Sequence, residues 1–121
     1  MFRLGAYIKF GETVTLAVAD RDGLQAFVSA LGEVVVVGRS AFEAGDAVEH
    51  QIVEQSGSAD IDIRPNLVVW RLDKSKLNEL IGLTTSLIAA GKPAHQYLDE
   101  MRSPTTTLML SIDEFGAGSC T

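Results

Sequence analysis

The chain has 121 residues, enough for one domain and not two, and a domain of that size buries roughly two thirds of its unfolded surface. Its 46% hydrophobic and 21% charged residues exclude a disordered chain. A formal net charge of −6 and a pI near 4.7 argue against nucleic acid or an acidic membrane as partner, and fit a partner that is itself basic.

Cys120 is the only cysteine, so neither an intrachain disulfide nor a cysteine metal cluster can form. The stretch from Met1 to Phe10 has no long apolar core before a cleavage-type site, so no signal peptide is expected. No run approaches the roughly 18 apolar residues of a membrane span. The best stretch, Leu77 to Ala90, is broken by Asn78 and Glu79. A cytoplasmic location is the expectation.

Leu4 to Phe10 alternates as a strand, Gly11-Glu12 reads as a two-residue turn, and Thr13 to Ala19 is a second, β-branched strand. Asp20 or Asp22 then caps a helix whose apolar stripe is Leu24, Phe27, Val28 and Leu31. Gly32 is read as its stop, and the apolar run Glu33–Gly38 as a strand buried on both faces. Between Arg39 and Asn66 the pattern is punctuated by Gly45, Ser56-Gly57-Ser58 and Pro65. There Val48–Glu54 is read as a strand in preference to a helix, forming a hairpin with Asp60–Arg64.

Leu67–Leu72 is a strand and Asp73 caps a long helix over 74–91. The stripe of that helix is Leu77, Leu80, Ile81, Thr84, Leu87 and Ile88, with Gly91 and Pro93 marking its end. His95–Leu98 is a short extended piece, Asp99–Thr105 a turn, and Thr106–Ile112 the last strand. Residues 115–121 read as a frayed tail. A faint echo links the halves: strand, Asp20, helix, Gly, strand recurs as strand, Asp73, helix, Gly, strand. It reads equally as a duplication or as a common capping solution.

The chemistry-bearing residues are few. His95 and Asp99 stand four apart, and His50 is the other histidine. They fit a carboxylate-oriented histidine or half of a metal site, but zinc needs three or four ligands and no helical histidine pair exists. The plainer reading is a loop histidine bonded to backbone or solvent. Asp60 and Asp62, with Glu54, fit a cation site or a solvated strand face opposite Ile61 and Ile63. No nucleophile elbow, dinucleotide fingerprint or phosphate loop is present. Trp70 sits mid-strand and reads as core or sheet face, not as a base-stacking platform.

Leu77, Leu80, Leu87, Gly91, His95, Leu98 and Asp99, followed by the strand Leu108–Asp113, are similar in pattern to the small α+β immunity proteins of bacterial polymorphic toxin systems. The resemblance covers the C-terminal half. It implies a stoichiometric inhibitor with no catalytic residue and no cofactor, binding a toxin domain through the segment that holds His95, Tyr97 and Asp99. An acidic inhibitor gains association rate toward a basic toxin by steering.

The combined expectation is one α+β domain over 1–121. It holds a single, largely antiparallel sheet of five to seven strands with two helices packed on one face. The first and last strands are expected at sheet edges, where a homodimer would form. The function expected is non-catalytic binding. The alternatives are a small enzyme or metal-binding domain on His95 and Asp99, or a module for self-association.

Overall fold

A computed structural model describes residues 1–43, 47–90 and 93–112. The chain forms a hairpin of β1 (Phe2–Lys9) and β2 (Glu12–Ala19), then α1 (Arg21–Val37), β3 (Arg39–Glu43) and β4 (Glu49–Glu54). It continues as β5 (Ala59–Ile63), β6 (Leu67–Leu72), α2 (Lys74–Ala90), β7 (Ala94–Leu98) and β8 (Leu108–Ile112). The class is α+β, as expected. The single sheet is not: the strands form two four-stranded mixed sheets, ordered β1-β2-β8-β7 and β3-β4-β6-β5. In each sheet the outer pairs are antiparallel and the central pair, β2 with β8 or β4 with β6, is parallel.

Each half of the chain is hairpin, helix, hairpin. The first hairpin of one half joins the second hairpin of the other, so both sheets are shared between halves. The faint echo in the sequence therefore marks a structural repetition. Both helices have 17 residues, and Asp20 and Leu24 of the first correspond to Asp73 and Leu77 of the second. One core unites the two sheets and both helices, with Phe2, Phe27, Trp70, Leu80, Leu98 and Leu108 fully buried. α1 packs on α2 and on β2, β3 and β4, while α2 packs on β6, β7 and β8. Neither helix is confined to one sheet.

α1 starts at the first of its two candidate caps, with the Asp20 carboxylate accepting the Gly23 N–H at 2.8 Å. It does not stop at Gly32. Residues 33–37, expected as a buried strand, are its last turns, and Val35, Val36 and Val37 are 50%, 82% and 63% exposed. Val34 lies in phase with Leu24, Phe27 and Leu31 on the buried stripe, so burial of that face outweighs the β preference of valine. The stop is Gly38, at φ 91°, whose N–H donates to the Val34 carbonyl at 2.8 Å. On α2 the stripe is as expected: Leu77, Leu80, Thr84 and Leu87 are buried, with Ile81 and Ile88 packed beside them.

Three further expectations are corrected. The first hairpin turns on Phe10-Gly11, both at positive φ (50° and 81°), because Lys9 already pairs with Glu12. β4 and β5 do not form a hairpin: β6 lies between them, and residues 55–58 step across its end, Gln55 N–H donating to the Leu72 carbonyl and Asp73 N–H to that of Ser58. The last strand is no edge, since β8 lies between β2 and β7, whereas β1 is one. β3 is an element that the sequence pattern did not announce. Gly91 and the tail at 115–121 lie outside the described residues.

Candidate functional site

Sheet β1-β2-β8-β7 has two faces. Phe2, Ala17, Ala19, Leu98, Leu108, Leu110 and Ile112 point into the main core. The alternate residues point the other way. Among them Val14, Leu16 and Met109 form a second, separate apolar cluster, with Tyr7 and Val18 packed against it. The cross-strand register brings them side by side: Tyr7 opposite Val14, Leu16 opposite Met109, and Met109 opposite Tyr97.

One end of this outer face carries a row of aromatic and cationic groups. The Lys9 ammonium donates a hydrogen bond to the Tyr97 hydroxyl and lies 4.6 Å from the centroid of that ring. It also lies 5.7 Å from the Phe10 ring. The His95 ring meets the Tyr97 ring edge-on at 5.3 Å, because residues two apart on β7 share a face. Phe10, Lys9, Tyr97 and His95 thus form a continuous array, in which Phe10 is 95% exposed and Tyr97 36%. An ammonium between two rings is held by their quadrupoles.

Phe10 breaks two local rules. It is a bulky aromatic in left-handed backbone conformation, where glycine or asparagine is the low-cost choice, and it leaves its ring in water. Backbone strain clusters at functional sites, and here the exposed ring is continuous with Lys9 and Tyr97.

Of the residues singled out from the sequence, His95 and Tyr97 come together in this array. Asp99 does not join them. Its carbonyl accepts from Lys76 Nζ at 2.7 Å and its carboxylate from the Thr107 hydroxyl at 3.3 Å. His50 belongs to neither: it lies on β4 inside the core, 1% exposed, stacked on Phe42 at 4.8 Å. Its Nδ1 accepts the Trp70 indole N–H at 3.3 Å. An indole N–H can only donate, so this Nδ1 carries no proton in that bond. The two histidines therefore build no common site, and among the described residues no group of three His, Cys, Asp or Glu side chains gathers.

Asp60 bonds Arg71, its cross-strand partner, at 2.7 Å, and Asp62 bonds Arg64 at 2.8 Å. The carboxylates singled out as a cation candidate are thus matched by guanidinium groups, with buried Ile61 on the opposite face. Trp70 is fully buried, in ring contact with Phe27 at 5.0 Å. Lys9 and Phe10 escaped sequence reasoning. The signal was an aromatic followed by glycine between two alternating strands, which places that aromatic at a hairpin tip.

No protein-family model and no curated protein matches the chain. Among solved structures its fold is similar to Drosophila Suppressor of Fused, with a TM-score of 0.55 at 15% identity over 85% of this chain. The match takes in 25% of that protein's chain, so this chain spans about a quarter of its length. At that identity the likeness is one of fold alone, an α+β arrangement common to the two.

Proposed function

We propose that the chain is a non-catalytic binding protein, an immunity-like inhibitor of a bacterial toxin domain that it engages through Phe10, Lys9, Tyr97 and His95. The observation that carries this reading is Phe10: a 95% exposed aromatic at positive φ on a hairpin tip has a local cost that contact with a partner offsets. The pattern shared by α2, β7 and β8 with immunity proteins supports the class of partner. The net charge of −6 supports a basic one, since an acidic protein steers it from beyond contact distance. The aromatic row then supplies rigid contact area at short range.

The test starts from the gene neighbourhood: a secreted toxin encoded next door is expected, and its toxin domain is the partner to titrate. Calorimetry should give saturable one-to-one binding that weakens as salt rises. Phe10→Asn relieves the left-handed backbone, so the variant should melt no lower than the parent while binding at least about tenfold more weakly. Unchanged affinity in both Phe10→Asn and Tyr97→Ala would remove this surface from the interface. Stoichiometric zinc binding lost in His95→Ala would instead favour the metal-site reading.

A further inference from the structure

Among the described residues the two sheets have four edge strands, and three of them are guarded. β5 is covered by the segment before Pro104: Ile61 N–H donates to the Ser103 carbonyl at 2.9 Å and Arg102 N–H to that of Ala59 at 2.8 Å. β7 has only five residues, starts just after Pro93 and packs on α2. β3 is equally short, with a charge at each end in Arg39 and Glu43. β1 has eight residues, with small, exposed Gly5-Ala6 at its centre and Ile8 71% exposed. Long, unguarded edges are templates for a further strand.

The two-residue turn fixes which backbone groups that edge offers. Lys9 and Glu12 close the hairpin as a hydrogen-bonded pair, so Arg3, Gly5 and Tyr7 also spend their N–H and C=O groups on β2. The bond from Asp20 N–H to the Met1 carbonyl continues that alternation. The backbone groups of Leu4, Ala6 and Ile8 therefore point outward, while Phe2, next in the same alternation, is fully buried.

We propose that β1 pairs antiparallel with β1 of a second copy, about a two-fold axis through Gly5, to join two sheets edge to edge. The strand is complementary to itself in that register. Leu4 of one copy meets Ala6 of the other on both sides of the axis, Arg3 faces the ring of Tyr7, and the ladder stops short of buried Phe2. Moving the axis to Ala6 sets Arg3 against Lys9, a like-charge pair on both sides of the axis. Moving it to Leu4 sets Ala6 against buried Phe2 and leaves one outward pair, Leu4 with itself. The Gly5 register also leaves Phe10 beyond the end of the joint ladder, so the pairing does not compete with the array at the hairpin tip. The inference rests on the edge and not on the toxin reading.

Light scattering across a concentration series should rise from 13.0 kDa toward twice that mass, without the loss at high salt expected of toxin binding. Ala6→Pro removes an outward N–H and leaves the β2 ladder intact, so it should weaken the dimer by about tenfold or more. Ile8→Lys should do the same without a proline, and circular dichroism checks that both variants fold. The axis is read by Gly5→Cys in a Cys120→Ser background. A Cβ at Gly5 meets nothing within 4 Å, and opposed residues of a non-hydrogen-bonded pair approach to about 4.5 Å between Cα atoms. Gly5→Cys should therefore oxidise to a covalent dimer, and Arg3→Cys should not. A chain that stays at 13.0 kDa at high concentration, a dimer insensitive to both edge variants, or a dimer in which Gly5→Cys does not cross-link would each overturn the proposal.

Discussion

Thr84 is the residue whose chemistry fits its surroundings least. It is fully buried on α2, on the stripe of Leu77, Leu80 and Leu87, and its hydroxyl has no hydrogen-bond partner among the described residues. An unsatisfied buried hydroxyl costs about 1–3 kcal/mol, and valine has the same shape. Thr84→Val should therefore raise the free energy of unfolding by about 1 kcal/mol in urea melts. Asp20 is the opposite case, a polar group with several tasks. Burial alone would raise its pKa, but the hydrogen bond from the Met1 ammonium at 2.8 Å, the Gly23 amide and the positive charge of that ammonium together hold it below its ordinary 3.8. A lowered folded-state pKa stabilises above the unfolded value and is lost as pH falls through the folded one. Asp20→Asn keeps the cap but not the charge. The stability gap between parent and variant should be open near neutral pH and close as the pH drops below about 4. A gap of constant width would show that the cap alone matters.

At the scale of the element, α1 and α2 pose the same problem and solve it with different residues. Each starts at an aspartate whose side chain accepts an amide of the first turn, Gly23 in α1 and Lys76 in α2. Gly23 serves a second need, since a Cβ there would overlap the carbonyl of Met1, which crosses the start of the helix. Leu80 and Phe27 then take equivalent places, both fully buried. Leu80→Ala should cost about 2–5 kcal/mol, the usual range for a leucine truncated in a packed core. His95→Ala, on an exposed position of edge strand β7, should change stability by less than about 0.5 kcal/mol. Chemical denaturation of the two variants side by side checks the order. A larger loss for His95 would make it a structural residue and take it out of the binding array.

At the scale of the molecule, the sharing of sheets between halves is the dominant fact. β2 needs β8 and β4 needs β6, so neither half owns a complete sheet. A lone two-stranded hairpin is marginal in water. Fragments divided at Gly57, in the exposed turn between β4 and β5, should each be largely unfolded by circular dichroism. Mixed in equal amounts they should regain the helical signal and the buried-tryptophan fluorescence of Trp70. Folding of either fragment alone would mean that a half can bury its helix without the other's hairpin.

The sequence by itself determined what depends on near neighbours. A cap at Asp20 or Asp22, the cap at Asp73, the stripe of α2, strands at 13–19, 48–54 and 67–72, each within a residue of β2, β4 and β6, and the α+β class all follow from local periodicity and hydrogen-bonding chemistry. Tertiary structure decided what depends on distant partners. Valine at 35–37 prefers strands, yet Val34 locks that run into α1 by landing on the buried stripe. Strand order was invisible for the same reason: inserting β6 between β4 and β5 exchanges a local pairing for a parallel one, and no residue pattern marks the choice. The histidines show the limit most sharply. Neighbours in sequence put His95 beside Tyr97, but only the fold buries His50 against Phe42 and Trp70 in the other sheet, because burial depends on what the rest of the chain brings to cover a face.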